Sequence, residues 1–423
     1  MVSSRLRKKS AYKIYRGILR RWRRIELKTN IYFRILSKIK PIDTPGRTIW
    51  INPMEITEVA YNFEKYDLLK TLGHVMSGDW DQRRCFFHDL KLYRALKAHF
   101  EEGIPLDETE FYNPNVITEK DQQQLNGTRS WDFITSFDYT NRVVKIDNLF
   151  ATIKENGYKT QQELGGILYD EVRVRVSREG HILFENSIHR MSIAKILKLT
   201  RIPAIVSVRH NEWVAFKMQL HAFAKRQKKG SPQGGRLYQM PHHPDLQDIP
   251  YVHSNIDRFE AMKKAVRNKS GRVLDIGANL GFFSHSFEEL GYQCIAVELV
   301  DENIYFLKKL KKAENRSMEV LHRNILKMID KLTSFDIVIA LNIFHHFLKT
   351  EEAYRDFIQL LKNLDMKEMF FEPHNPEEQP FQSTYKNLTN NEFIELILKH
   401  TSLNNYRKIL NCDGERYLFH LWQ

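Results

Sequence analysis

From residue 272 onward, short apolar runs alternate with amphipathic stretches of helical period. The runs fall at Arg272 to Ile276, Gln293 to Val297, Val320 to Leu321, Phe335 to Leu341 and Glu368 to Glu372. Between and after them, Phe282 to Glu289, Glu302 to Lys312, Glu351 to Leu364 and Asn391 to Lys399 repeat apolar positions every three or four residues. Such alternation predicts a parallel sheet with helices on both faces. Asn404 to Leu410 and Glu415 to Leu421, on either side of Asp413-Gly414, predict a closing antiparallel hairpin.

Upstream the pattern is different. Thr48 to Ile51 reads as a strand, residues 92 to 102 as a helix stopped by Gly103 and Pro105, and the polar stretch 117 to 165 as helical in places. A strand Val172 to Val176, a Gly180 turn, a strand Ile182 to Phe184, a helix Ser187 to Leu199 and a strand Ala204 to Val208 then predict a compact α+β unit. Residues 225 to 250 collect Lys225, Arg226, Lys228, Lys229, glycines, prolines and His242-His243, the composition of a linker. The predicted organisation is a tail at 1–40, an α+β domain at 47–224, a linker at 225–250 and an α/β domain at 251–423.

Charge sharpens this division. The chain has 65 Lys and Arg against 52 Asp and Glu, and residues 1–40 hold 14 of the bases with a single acid, Glu26. The tail therefore carries the whole excess of +13, and only the tail is a candidate partner for polyanions. Tyr15, Ile18, Leu19, Trp22 and Ile25 recur at helical spacing among Arg16, Arg20, Arg21, Arg23 and Arg24. This basic amphipathic helix suits an anionic membrane surface, where each basic residue contributes on the order of 1 kcal/mol. It equally suits packing on the protein's own body, and nucleic acid is the less favoured partner.

With 42% hydrophobic and 12% aromatic residues, the chain is neither disordered nor fibrous. Cys85, Cys294 and Cys412 stand far apart without a CxxC pair, so neither a disulfide framework nor a structural metal site is expected. Sparse cysteine fits a reducing cytoplasm, with peripheral membrane attachment if the tail engages lipid. No run of 18 apolar residues occurs, and no apolar core of a secretory signal is expected at the N-terminus.

The sharpest chemical signal is Val273-Leu274-Asp275-Ile276-Gly277-Ala278-Asn279-Leu280-Gly281-Phe282, a buried-type strand entering a glycine turn that opens a helix. Glu298 ends the next strand, 23 residues after Asp275, where a carboxylate can accept ribose hydroxyls. A dinucleotide site places a pyrophosphate at the turn, and the acid Asp275 would repel it. The ammonium group of a methionine-derived ligand suits it better.

These residues resemble the first motif, acid-x-Gly-x-Gly-x-Gly, of the class I S-adenosylmethionine-dependent methyltransferases, with Asn279 in place of the middle glycine. The resemblance covers about residues 252 to 423 and implies a Rossmann-like seven-stranded sheet. It implies S-adenosylmethionine as cofactor, with Asp275, Gly277, Ala278, Asn279 and Gly281 at its methionine part, Glu298 at the ribose and Asn324 near the adenine. The strand Phe335 to Leu341 resembles the family's fourth motif, which puts Asn342 on the crevice floor. His345 and His346 follow at its mouth as candidate catalytic bases, or as a structural element that orders the loop. Glu372 and His374 are read either as lining the acceptor pocket or as a proline-fixed loop with solvated charges.

In the N-terminal half, Phe184-Glu185-Asn186-Ser187-Ile188-His189-Arg190 followed by Ile202-Pro203-Ala204 resembles the ParB/sulfiredoxin-like fold. That resemblance implies anion binding by His189 and Arg190 at a helix start, with Ser187 where the family has glycine. No cysteine stands in the turn for sulfiredoxin chemistry, and a neutral body argues against DNA partition. Gly78-Asp79-Trp80-Asp81 reads as a capped turn or a ligand site.

Together these readings predict a methyltransferase using S-adenosylmethionine on an unidentified acceptor, with the basic tail pointing to a glycan or lipid-linked glycan. The alternative is a nucleic-acid-associated binding protein with a methyltransferase or cofactor-sensing domain. A degenerate methyltransferase fold acting as a scaffold is a third reading, suggested by Asn279.

Overall fold

The computed structural model describes residues 47–60, 73–112, 136–166, 170–227, 234–328, 334–375, 384–412 and 416–423. The basic tail, Lys228, Lys229 and the Asp413-Gly414 turn lie outside the described residues. The chain divides into two compact units, Met1–Phe216 and Lys217–Gln423.

The first unit contains β1 (Thr48–Ile51), β2 (Glu58–Ala60), β3 (His74–Met76), β4 (Arg84–Phe86), α1 (Lys91–Glu102), α2 (Ser136–Asn156), β5 (Val172–Val176), β6 (Ile182–Asn186), α3 (Ile188–Ile196) and β7 (Ile202–His210). Its sheet runs β1-β7-β5-β6-β2-β4, with β3 also paired to β7. In β5 the Val-Arg-Val-Arg-Val alternation suggests one wet face, yet Arg175 is buried along with the valines. The reason is position: β5 lies between β6 and β7, and Glu185 of β6 meets Arg175 at 3.1 Å and Arg173 at 3.5 Å. A buried charge pair of this kind is tolerated because each ion neutralises the other. Helix α1 buries Leu92, Ala95 and Leu96 and stops at Gly103, whose φ of 76° few other residues adopt.

Helix α4 (Asn211–Arg226) spans the division. The second unit continues with β8 (Leu237–Gln239), β9 (Tyr251–His253), α5 (Ile256–Ala265), β10 (Arg272–Ile276), α6 (Phe282–Glu289), β11 (Gln293–Glu298), α7 (Asp301–Ala313), β12 (Glu319–His322), β13 (Phe335–Leu341), α8 (Glu351–Asn363), β14 (Met366–Glu372), α9 (Asn390–His400), β15 (Asn405–Asn411) and β16 (Tyr417–Trp422). The seven-stranded sheet runs β12-β11-β10-β13-β14-β16-β15. It is parallel from β12 through β14, and β16 is antiparallel to both of its neighbours.

Successive residues of a central strand enter two different cores. Leu274, Val338 and Phe371 pack on one face, and Val273, Ile337, Ile339 and Phe370 on the other. Covering on both faces is why these strands read as continuous apolar runs rather than as alternations. The strand order reverses between β10 and β13, which opens a crevice at the carboxyl ends of the strands.

One expectation changes here. The segment expected to be a linker forms β8, paired in parallel with β9, and buries Leu237, Leu246 and Ile249. Its glycines and prolines look like a linker, but apolar anchors between them fix it to the unit. Asn324, which the resemblance places near the adenine, lies just past the third strand and caps a short 3-10 helix by accepting a hydrogen bond from Leu326 N at 3.0 Å.

Candidate active site

The turn after β10 is built from positive φ angles, 73° at Gly277, 55° at Asn279 and 80° at Gly281. A Cβ at Gly277 would lie 2.8 Å from Ile343 Cδ1, and one at Gly281 would lie 2.3 Å from Leu307 Cδ1. The glycines thus answer to the protein's own packing as well as to a ligand. Asn279 occupies the left-handed region, which asparagine tolerates better than most residues. This explains how it replaces the middle glycine. Its N–H donates to Glu298 Oε2 at 2.8 Å, and the N–H groups of Gly277 and Ala278 donate to Val297 O.

Asp275 and Glu298 lie on the same side of the sheet. Asp275 is buried and accepts a hydrogen bond from Ser284 Oγ at 2.7 Å. Burial pushes its carboxyl up to about 6 against the Ser284 bonds, and nearby Glu298 adds to the rise. The other oxygen of Glu298, Oε1, accepts from Leu299 N and Val300 N, each at 2.8 Å. Leu299 and Val300 are then 58% and 52% exposed, an apolar shoulder beside the acid.

A narrow cleft lies at the carboxyl ends of β10, β13 and β14. The sheet side contributes Asp275, Ile276, Gly277, Leu341, Asn342 and Glu372, with Phe283 from α6; β8, β9 and α5 contribute Tyr238, Gln239, His253, Asn255 and Arg258. Asn342 has φ 50°, donates its N–H to Glu372 O at 2.9 Å and its side-chain Nδ2 to Glu372 Oε1 at 2.8 Å. Arg258 grips the same carboxylate from the other side, Nε to Oε2 at 2.6 Å and Nη2 to Oε1 at 3.0 Å. Burial alone would raise the Glu372 carboxyl, but the Arg258 guanidinium and the Asn342 amide hold it below its ordinary value. Glu372 is therefore no solvated loop charge. It is a fully buried wall of the cleft.

Glu298, Asn324, His345 and His346 are not among the residues lining this cleft. His345 and His346 occupy the 3-10 turn Phe344–Leu348 after β13, with ring centroids 4.1 Å apart, and His374 lies 5.4 Å from His345. Burial, reinforced by neighbouring cationic groups, lowers His345 to about 2 and His346 to about 4. Both imidazoles are neutral at pH 7. A base with so acidic a conjugate acid removes protons weakly.

Five lining residues escaped the sequence reading because they precede the glycine motif. Arg258 left a trace: with Met262 and Ala265 it falls at i, i+4 and i+7 on the buried stripe of α5, where an arginine needs a buried partner. Gln239 Oε1 and Asn255 Nδ2 are buried without a hydrogen-bond partner. In the first unit, His189 Nε2 lies 2.9 Å from Tyr112 Oη, and Arg190 donates to Ser187 Oγ at 3.0 Å and stands 3.8 Å from Glu171. Ser187 adopts φ 75°, the conformation a glycine would enter freely. The Gly78 to Asp81 turn is tied down by Arg178, which donates to Gly78 O, Asp79 and Asp81.

Residues 274–364 match the methyltransferase-domain family. No curated protein matches the chain. Among solved structures, the bifunctional kinase-methyltransferase WbdD aligns at 22% identity over 44% of this chain and 44% of its own, with a TM-score of 0.38. A SAM-dependent methyltransferase from Archaeoglobus fulgidus aligns at 15% identity over 40% of this chain and 95% of its own, TM-score 0.31. The PH0226 protein of Pyrococcus horikoshii OT3 aligns at 16% identity over 39% and 89%, TM-score 0.30. The chain spans under half the length of the WbdD structure it matches. The second unit is a Rossmann-like α/β sheet, and its central stretch 274–364 is similar to methyltransferase domains.

Proposed function

We propose that the second unit transfers a methyl group from S-adenosylmethionine to an acceptor held at the mouth of the cleft. The observation that carries this reading is the convergence of Asp275, Gln239 Oε1 and Asn255 Nδ2 on one buried crevice. A carboxylate and an amide oxygen suit an ammonium group, and an amide N–H suits a carboxylate. Such a set fits the zwitterionic end of an amino-acid ligand. Glu298, at the end of the neighbouring strand, would accept the ribose hydroxyls, and Leu299 with Val300 would pack against the adenine. Bound there, the cofactor supplies an electrophilic methyl carbon on a sulfonium.

The chain's own contribution is then mostly alignment. Asn342 and Glu372, locked by Arg258, form a floor that fixes where an acceptor atom stands. A glycan or lipid-linked acceptor is favoured by the basic residues 1–40, which would hold the enzyme on an anionic surface. Under the competing nucleic-acid reading, binding would fall steeply with salt and vanish with the tail. For the first unit, the ParB/sulfiredoxin-like reading rests on the β6, α3, β7 succession, with His189 and Arg190 at the helix start.

Calorimetric titration of S-adenosylmethionine and S-adenosylhomocysteine tests the reading. The wild type is expected to bind both, and Glu298→Ala to bind them at least about tenfold more weakly, the loss of a charge-assisted hydrogen bond of roughly 1.5–3 kcal/mol. No heat from either ligand with a folded wild type overturns the reading.

A further inference from the structure

We propose that His242, His285 and Glu314 form a binding site for one divalent transition-metal ion of the zinc(II) type, distinct from the cleft. None of the three lines the cleft, and the inference does not depend on methyl transfer.

Three separate segments bring the donors together: the loop between β8 and β9, the first turn of α6, and the residue after α7. Their ligand atoms all lie within 4.8 Å of one another. His242 Nδ1 stands 2.7 Å and His285 Nδ1 2.9 Å from the same oxygen, Glu314 Oε2, and the two imidazoles are stacked with centroids 5.2 Å apart. His285 is 0% exposed and the Glu314 side chain 5%. Two imidazoles and a carboxylate are the donor set of many zinc sites.

The independent observation is that hydrogen bonding leaves this cluster incomplete. Both ring nitrogens of His285 and Oε1 of Glu314 are buried without a hydrogen-bond partner. His285 Nδ1 stands beside Glu314 Oε2 without hydrogen-bonding geometry, whereas His242 Nδ1 hydrogen-bonds the same oxygen and Arg316 Nε lies 3.5 Å from it.

Outer groups support the same assignment. His242 Nε2 faces Glu289 Oε1 at 3.4 Å, and Arg316 Nη2 holds Glu289 at 2.5 Å, the carboxylate–histidine order that orients metal-bound imidazoles. Donors on a tetrahedral zinc with bonds of ~2.1 Å stand roughly 3.4 Å apart, so binding asks the Glu314 carboxylate to draw back by about half an ångström. The cysteine count gave no hint of this site because its donors are imidazole and carboxylate. An ion here would clip the loop between β8 and β9, which joins cleft residues Tyr238 and Gln239 to His253, onto the helix of the glycine turn.

The test uses the full chain, stripped with EDTA, dialysed and titrated calorimetrically with zinc(II) chloride, with cobalt(II) chloride as an absorbance probe. One equivalent of zinc and visible cobalt bands are expected, with affinity reduced by at least about 100-fold in Glu314→Gln and in His285→Gln, since each removes a direct ligand. A folded wild type that binds neither metal overturns the proposal and leaves a hydrogen-bonded ion cluster. Undiminished affinity in a folded Glu314→Gln also overturns it. Should a variant fail to fold, the wild-type stoichiometry and the cobalt spectrum decide on their own.

Discussion

Asp275 holds its proton about two pH steps longer than an ordinary aspartate, because burial removes the water that would stabilise its charge. Between about pH 4 and pH 6 the folded chain therefore binds a proton there that the unfolded chain has lost. This contribution makes stability fall as pH rises through that window. Asp275→Asn is expected to gain stability on the order of 1–2 kcal/mol at pH 7 relative to its effect at pH 4, read from urea melts. The same variant should lose S-adenosylmethionine affinity at least about tenfold, the size of one charged contact. His345 and His346 work in the opposite sense. Their folded values are depressed, so the unfolded chain takes up protons first, and stability falls as pH drops below about 6.5. In ring NMR spectra, His345 and His346 should show no titration between pH 5.5 and 8, and His345→Gln should lessen the acid loss of stability. A His345 midpoint near 6.5 would restore it as a candidate base.

Among the elements, the join between α5 and β14 is the most exposed to single changes. Arg258 and Glu372 neutralise each other out of water, and Asn342 completes the carboxylate's partners. Arg258→Met leaves a buried charge alone and is expected to cost about 3–5 kcal/mol, whereas Arg258→Met with Glu372→Gln should recover most of it. A double-mutant cycle by chemical denaturation reads this coupling directly, and additive losses would contradict it. The elements themselves were largely legible where burial is two-sided. β10, β13 and α6 begin and end where apolar periodicity places them, because the core decides those boundaries. β8 and β9 were not legible, since three-residue strands among prolines and glycines carry no period. The arginines of β5 misled in the other direction, as alternation signals an exposed face only when no acid on the neighbouring strand accepts the cations.

At the scale of the whole molecule, the sequence separated the α+β half from the α/β half and put the glycine turn, Asp275 and Glu298 on one edge of the second. It missed what closes that edge. Loops that fold back over a sheet are fixed by a few buried polar contacts, which are pairwise, distant in sequence and silent in any periodicity. The metal-type cluster was missed for the same reason, its three donors being 43 and 29 residues apart in the chain. No helix among the described residues is long and apolar enough to cross a membrane. Six of the twelve residues around the cleft fall outside the stretch 274–364: Tyr238, Gln239, His253, Asn255 and Arg258 before it, Glu372 after it. An expression fragment trimmed to that stretch would keep the phosphate-free glycine corner and lose the roof above it, so its failure to hold a cofactor would say nothing about the intact chain.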